Sequence, residues 1–360
     1  MQLEERINAF VALGKFLGQF SSVEALKTVG IKKNELFHDR MLQQLEAAKN
    51  HNGWFTPDNL HFACKSWTEA LSESKLLEWT SMYNDLSTEG SDERQIRTIA
   101  IIMAGNVPLV GFHDFLSVLI SGNKALVKLS SNDKQLLPLL AEYLIAIDPN
   151  FEDRISFTED RLKGFDAVIA TGSNNTARYF DYYFGKYPHI IRKNRNSVAV
   201  LTGNETKEQM EALANDIFRY FGLGCRNVSK IFIPEGYNND QFFNGVYAWR
   251  EIIYNNKYIN NYDYNKAVYL MSGFDLLDNE FLLLKEDSGY SSPISVIYYE
   301  YYSDLKALHQ KIKAEQDAIQ CVISQCGISN ETAFGTAQSP ELWEYADGVD
   351  TLDFLLKLSL

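Results

Sequence analysis

The chain has 360 residues and carries 34 Lys and Arg against 47 Asp and Glu, a formal net charge of −13 at pH 7. With no long basic run, that balance argues against duplex nucleic acid and anionic membrane surfaces as partners, and any anionic ligand must be met by local basic side chains. The length suffices for two or three domains with a large core; four cysteines without a CxxC pair and six scattered histidines exclude a disulfide scaffold, give no metal-site spacing and point to a reducing cytosol.

The amino terminus, MQLEERINAF, lacks the apolar core of a signal peptide, and no run of 18 uncharged apolar residues occurs. A cytoplasmic protein without membrane insertion is expected. Residues 1–95 read as a mostly helical segment closed by a polar break at Ser87–Asp92. Then the texture changes. Thr98–Met103, Ala125–Leu129 and Ala167–Thr171 read as strands, and Phe112–Ile120 and Leu136–Ile147 as helices. Strands alternating with helices predict a parallel sheet with helices on its faces, here a cofactor-binding domain over 96–221. Ligands of such sheets bind at the carboxyl ends of strands. Those ends carry Gly105 and Asn106, then Lys128, Ser130 and Ser131, then Gly172 and Ser173. Strand-to-helix turns also take Gly, Asn and Ser for conformational and capping reasons alone.

Arg192, Lys193 and Arg195 form a dense basic patch, which reads either as a solvated loop or as a phosphate contact. Met210, Leu213, Ala214, Ile217, Phe218 and Phe221 mark an amphipathic helix with Thr206 and Gln209 as its capping box, ended by Gly222. Val228 to Ile233 then alternate as a half-buried strand. Cys225 falls on the tight turn between them. A thiolate there is both nucleophile and leaving group, able to hold an acyl group as a thioester. The competing reading is a core cysteine, and a helix C-terminus raises a nearby thiol pKa unless Arg226 or a cationic nicotinamide offsets it. A catalytic domain is expected over 222–330, with 331–360 returning to the cofactor domain or an interface. Cys321 and Cys326 read as structural, and the aromatic clusters at 179–184 and 298–302 as packing, with an acyl channel as the alternative. No dinucleotide fingerprint, P-loop or HExxH is present.

The runs AGNVPL, GNKALVKLSSND, VIATGSNNTARYF, GLGCRNVSKIFIP, KEDSGYSSPISV and AFGTAQSPELW occur in that order. Together, over about residues 98 to 340, they resemble the aldehyde dehydrogenase superfamily, and within it the acyl-CoA reductases related to the fatty acyl reductase of bacterial luminescence. The resemblance implies an α/β, aldehyde dehydrogenase-like fold: a nucleotide-binding parallel-sheet domain with an interleaved α/β catalytic domain. It puts the oxyanion asparagine on Asn106 and the nucleophile on Cys225. The lysine of the cofactor-ribose motif falls on Lys128, with Ser130 and Ser131 in its loop; the pyrophosphate glycine and serine fall on Gly172 and Ser173, and the ribose glutamate on Glu286. Where hydrolytic members carry their base glutamate, this chain reads Ile191, Arg192, Lys193, Asn194, Arg195, Asn196. Without that base water is a poor acceptor for the thioacyl enzyme, and CoA or hydride is favoured. Ser131 stands where NAD-preferring members often carry a glutamate, which permits NADPH. The chain is also shorter than typical members before Asn106 and between Cys225 and Glu286, which leaves the oligomerising elements open; a homo-oligomer is compatible. The implied reaction is NADPH-dependent reduction of an acyl-CoA or acyl-carrier thioester to an aldehyde, with no metal. The alternatives are a non-catalytic partner subunit or acyl-carrier docking protein, or an acyl phosphate reductase.

Overall fold

A computed structural model of the protein describes residues 1–87, 95–172 and 174–358. The expected break at Ser87–Asp92 therefore lies, beyond Ser87, outside the described residues. The chain forms two compact units, Met1–Lys193 with Glu341–Leu360, and Asn194–Pro340.

The first unit opens with five helices, α1 (Leu3–Gly18), α2 (Asn34–His51), α3 (Pro57–Ala70), α4 (Glu73–Ser81) and α5 (Asn84–Ser87). Two have explicit start signals: Gln2 and Glu5 make a reciprocal capping box on α1, and Thr56 caps α3 ahead of Pro57. Next come β1 (Thr98–Ile102), α6 (Phe112–Ile120), β2 (Lys124–Lys128), α7 (Leu136–Ile147), β3 (Ile155–Phe157), β4 (Ala167–Thr171), α8 (Asn174–Phe184) and β5 (His189–Arg192). The strands form one sheet in the order β3-β2-β1-β4-β5, every pair parallel. Because both faces of such a sheet are covered, its central strands read as continuous apolar runs rather than alternations. On one face Ile99 and Ile101 join Phe10 and Phe16 of α1, Leu116 of α6 and Leu140 of α7; on the other, Ala100, Val168 and Ala170 meet Phe180 and Phe184 of α8. The helices of residues 1–95 thus share one core with the sheet, and do not stand apart as a segment.

The second unit contains β6 (Asn196–Val200), α9 (Lys207–Phe218), β7 (Val228–Pro234), α10 (Asn239–Val246), α11 (Asn256–Met271), β8 (Leu276–Asp278), β9 (Leu283–Glu286), β10 (Val296–Tyr302), α12 (Leu305–Ala314) and β11 (Ile319–Ile323). Its sheet runs β11-β6-β7-β10-β9-β8, with only β8 and β9 antiparallel. The division falls at 193/194 and not at 221/222 because β6 pairs with β7 and β11. The capping box of α9 forms as expected, Gln209 N–H to Thr206 Oγ1 at 3.3 Å and Thr206 N–H to Gln209 Oε1 at 2.7 Å. Two expectations need correction. The helix stops at Phe218, four residues before Gly222, because Tyr220 and Phe221 already adopt left-handed backbone at φ 56° and 59°. And β7 is not half-buried: inside a parallel sheet it is enclosed on both faces, down to Lys230 with no exposed surface.

The carboxyl-terminal α13 (Thr351–Leu358) returns to the first unit. A buried guanidinium explains why. Arg192, at the end of β5, meets Asp114 of α6 at 2.6 Å and donates to the Ala346 carbonyl at 2.7 Å and Thr351 Oγ1 at 2.8 Å. Among the described residues no helix is long and apolar enough to cross a membrane.

The β1–α6 connection is held by Asp133, whose Oδ2 accepts the Leu109 N–H at 3.1 Å while Leu109 sits in left-handed backbone at φ 57°. Burial pushes this carboxyl up to about 6 from an ordinary 3.8. A carboxyl raised in the folded state binds more protons folded than unfolded between those values, so its stabilising share is complete below pH 3.8 and is lost as pH rises through 6. Asp133→Asn keeps an acceptor for Leu109 and removes the titration. Urea midpoints across that window should therefore fall less steeply with pH in the variant than in the parent; parallel curves would show that Asp133 does not titrate there.

Candidate functional site

In the first unit the chain runs β1, β2, β3 to one side, then crosses to β4 and β5 on the other, which makes the carboxyl ends of β1 and β4 a topological switch point. Gly105 and Asn106 follow β1, and Gly172 follows β4. The loops after β1 and β2 touch so closely that a Cβ on Gly105 would fall 2.5 Å from Ser130 Oγ, which only glycine avoids. A Cβ on Gly172 would likewise lie 3.0 Å from Thr176 and Phe180, packing the start of α8 onto its turn. Asn106 is half-buried. Ser173 lies outside the described residues.

The β2 loop is pinned from the amino-terminal helices. His51, the last residue of α2, donates from Nε2 to the Ser131 carbonyl at 2.6 Å. Asn52 Nδ2 reaches the carbonyls of Gly105 and Asn132, each at 3.4 Å, so one side chain stitches both loops together. Ser130 Oγ accepts the Asn132 N–H at 3.2 Å, Ser131 is exposed, and Lys128 Nζ donates to the Asp160 carbonyl at 2.9 Å. The sequence reading missed His51, Asn52 and Asp133. Their partners lie 80, 53 and 24 residues away, beyond any local pattern. Arg192 is turned inward onto Asp114 and is 5% exposed, so it faces no ligand; Lys193 is exposed and Arg195 half-buried.

In the second unit, Cys225 is half-buried on an irregular turn ahead of β7, whereas Cys321 is buried. The turn is closed by Asn227 N–H to the Gly224 carbonyl at 3.0 Å. The Cys225 carbonyl accepts from Ser197 Oγ on β6 at 2.9 Å, and the same hydroxyl accepts the Cys321 N–H at 3.2 Å. Arg226 Nη1 donates to Cys321 Sγ at 3.3 Å. Cys326 lies on a loop folded around Glu331, and burial raises its thiol. Glu286 is exposed at the end of β9. The loop after it folds back over β7, where Ser229 Oγ donates to the Tyr290 carbonyl at 2.6 Å and Lys230 Nζ to that of Ser288 at 2.8 Å.

The fold is shared with aldehyde dehydrogenases. Aldehyde dehydrogenase 21 of Physcomitrella patens, in complex with the reaction product succinate, superposes with a TM-score of 0.71 at 11% identity, covering 100% of this chain and 85% of that one. An E. coli NADP dependent enzyme gives 0.64 at 12% identity over 96% and 77%. An indole-3-acetaldehyde dehydrogenase complexed with NAD+ gives 0.62 at 11% over 89% and 72%. No curated protein matches the chain in sequence. The sequence profile of the family described as acyl-CoA reductase (LuxC) matches residues 18–243, well over half of the chain. This chain therefore belongs to the acyl-CoA reductase (LuxC) family, oxidoreductases of the acyl reductase type, on an aldehyde dehydrogenase fold.

Proposed function

We propose that the protein reduces an acyl thioester, carried by CoA or a carrier protein, to the aldehyde with NADPH, using Cys225 as nucleophile. The observation that supports this most directly is the placement of Cys225: a half-buried cysteine on a turn fixed through its own carbonyl and through the residues on either side. The thiolate attacks the carbonyl carbon, the carbon–sulfur bond to the carrier breaks, and the carrier leaves and takes up a proton. Cys225 then holds the acyl group as a thioester until reduction releases the aldehyde and returns the thiolate. Asn106 and the Cys225 N–H are assigned the stabilisation of negative charge on the carbonyl oxygen, a role whose loss typically costs about 2.7 to 4 kcal/mol.

The first unit fits a dinucleotide. Its parallel sheet has a switch point, the Gly172 turn lies tight against α8, and the β2 loop offers an amine and hydroxyls with no carboxylate at Ser131. Lys128, Ser130, Ser131, Gly172 and Ser173 are the residues that would hold NADPH, with Glu286 on the ribose, and the bound cofactor would supply the hydride. Lys193 and Arg195 remain candidates for phosphate contact.

The deciding experiment mixes purified protein and NADPH with acyl-CoAs of graded chain length, following nicotinamide absorbance and intact protein mass. Acyl adduct with turnover is expected. A stable adduct without turnover would point to a partner subunit, and turnover confined to acyl phosphates to the other enzyme class. Cys225→Ala should abolish both adduct and NADPH oxidation with the fold intact, while Cys64, Cys321 and Cys326 are dispensable; near wild-type turnover in Cys225→Ala would sink the mechanism. Asn106→Ala should lower turnover by about 10²-fold with little change in NADPH affinity; the reverse pattern would mark a turn residue. NADPH should bind at least about tenfold more tightly than NADH, a difference of about 1.4 kcal/mol, and Ser131→Glu should reverse that preference. Calorimetric titration showing equal affinities in the parent would remove this loop from the cofactor site.

A further inference from the structure

We propose that Asn227 is the positioning residue that sets the pose of the Cys225 thiol, an inference that rests on the reading of Cys225 as nucleophile. Asn227 is 2% exposed, and both ends of its side-chain amide are hydrogen-bonded. Nδ2 lies 2.9 Å from the Arg219 carbonyl, 3.0 Å from that of Asp216 and 3.3 Å from that of Ile217, so it covers the carboxyl end of α9. Oδ1 accepts the Gly224 N–H at 2.8 Å, and the Asn227 N–H returns a bond to the Gly224 carbonyl at 3.0 Å. Cys225 and Arg226 are therefore enclosed in a small ring closed twice between residues 224 and 227. From the other side, Ser197 fixes the Cys225 carbonyl to β6.

The ring acts on the thiol in two ways. It leaves the backbone of Cys225 one position relative to β7, and a displacement of about 1 Å at a reacting group is enough to cost 10²-fold in rate. The covered carbonyls are also the negative end of α9, which in the open would oppose a thiolate nearby; the amide protons of Asn227 turned onto them reduce that field. Aspartate at 227 would keep the acceptor for Gly224 but face the three carbonyls without a donor, and alanine would lose both.

The test compares wild type, Asn227→Ala and Asn227→Asp. Measured are kcat and KM for acyl-CoA reduction, NADPH affinity, thermal unfolding, and the rate at which iodoacetamide labels Cys225, located by peptide mass with Cys326 as internal reference. The expected result is a fall in kcat of about 10- to 10²-fold with KM and NADPH affinity within about twofold, and a several-fold change in Cys225 labelling with none at Cys326. A purely structural role would lower the melting temperature and leave the ratio of Cys225 to Cys326 labelling where it was. Folded variants with wild-type kcat and labelling overturn the proposal. Should both variants fail to fold, hydrogen exchange of the wild-type Gly224 amide decides: slow exchange supports the ring, and exchange at the rate of an open loop overturns it. The labelling comparison does not depend on the reaction. Turnover by Cys225→Ala would thus refute the nucleophile reading while an altered labelling ratio still stood.

Discussion

A helix that ends inside a protein must give its last carbonyl groups donors, and the way α9 meets that demand fixes the path of the chain into β7. The chain leaves α9 through Tyr220, Phe221 and Gly222, all left-handed, with φ of 56°, 59° and 74°. Only glycine takes that conformation without strain; a bulky L-residue there costs on the order of 1–2 kcal/mol. The turn persists because two compensations exceed the strain. Tyr220 and Phe221 are buried, Phe221 against the Tyr258 ring, and full burial of an aromatic side chain contributes about 1.5–3 kcal/mol. Asn227 meanwhile shares its two amide protons among three carbonyls, of which that of Asp216 also accepts from Gln338 Nε2 at 3.4 Å, and each buried polar group left unsatisfied carries a penalty of about 1–3 kcal/mol. The turn thus delivers Cys225 to the start of β7, a strand with partners on both sides, where β6 can hold it through Ser197.

The first unit solves a similar problem with different residues. Its two strand-end loops come within van der Waals distance at Gly105 and Ser130, and backbone groups there need partners that the sheet no longer supplies. The partners come from the junction of α2 and α3, where His51 and Asn52 donate to Ser131, Gly105 and Asn132, and from Asp133, which takes the Leu109 N–H. The amino-terminal helices accordingly do more than cover a sheet face. They set the shape of the loops proposed to meet the cofactor, so changes at the end of α2 reach the candidate site without any contact with the ligand.

Sequence patterns made α6, α7, β1, β2 and β4 legible to within a residue or two, because each is a long apolar run or a clean helical stripe bounded by turn residues. The edge strands β3 and β5 were not, being only three and four residues long and interrupted by polar residues. Lys230 made β7 look half exposed, since nothing local shows that Glu300, 70 residues on, would neutralise it. At the site, position at the strand ends and on the turn ahead of β7 pointed to Gly105, Asn106, Lys128 and Cys225, and the family resemblance supplied the roles expected of the last three. The sequence reading gave Asn227 no role. The available signal was its spacing, three after Gly224 and beyond the last helical stripe residue, which suits a side chain that caps backwards onto its own helix.

The buried cations explain which basic residues remain for an anionic ligand. A charge enclosed by protein must be paired, and removing one partner of such a pair typically costs about 3–5 kcal/mol, so its counter-charge is not available for exchange. Arg192 is committed to Asp114, Lys230 to Glu300, and Lys285 to Asp287 beneath the rings of Tyr269, Phe274 and Tyr298. Lys128 differs in kind. Its ammonium donates to a neutral carbonyl, that of Asp160, at the partly open end of β2. Giving up that bond costs about what one charged hydrogen bond contributes, on the order of 1.5–3 kcal/mol, and a phosphate or ribose oxygen in its place returns as much or more. In a chain of net charge −13, the cations suited to a ligand are thus those that, among the described residues, have not already met a carboxylate, and Lys128 is one of them.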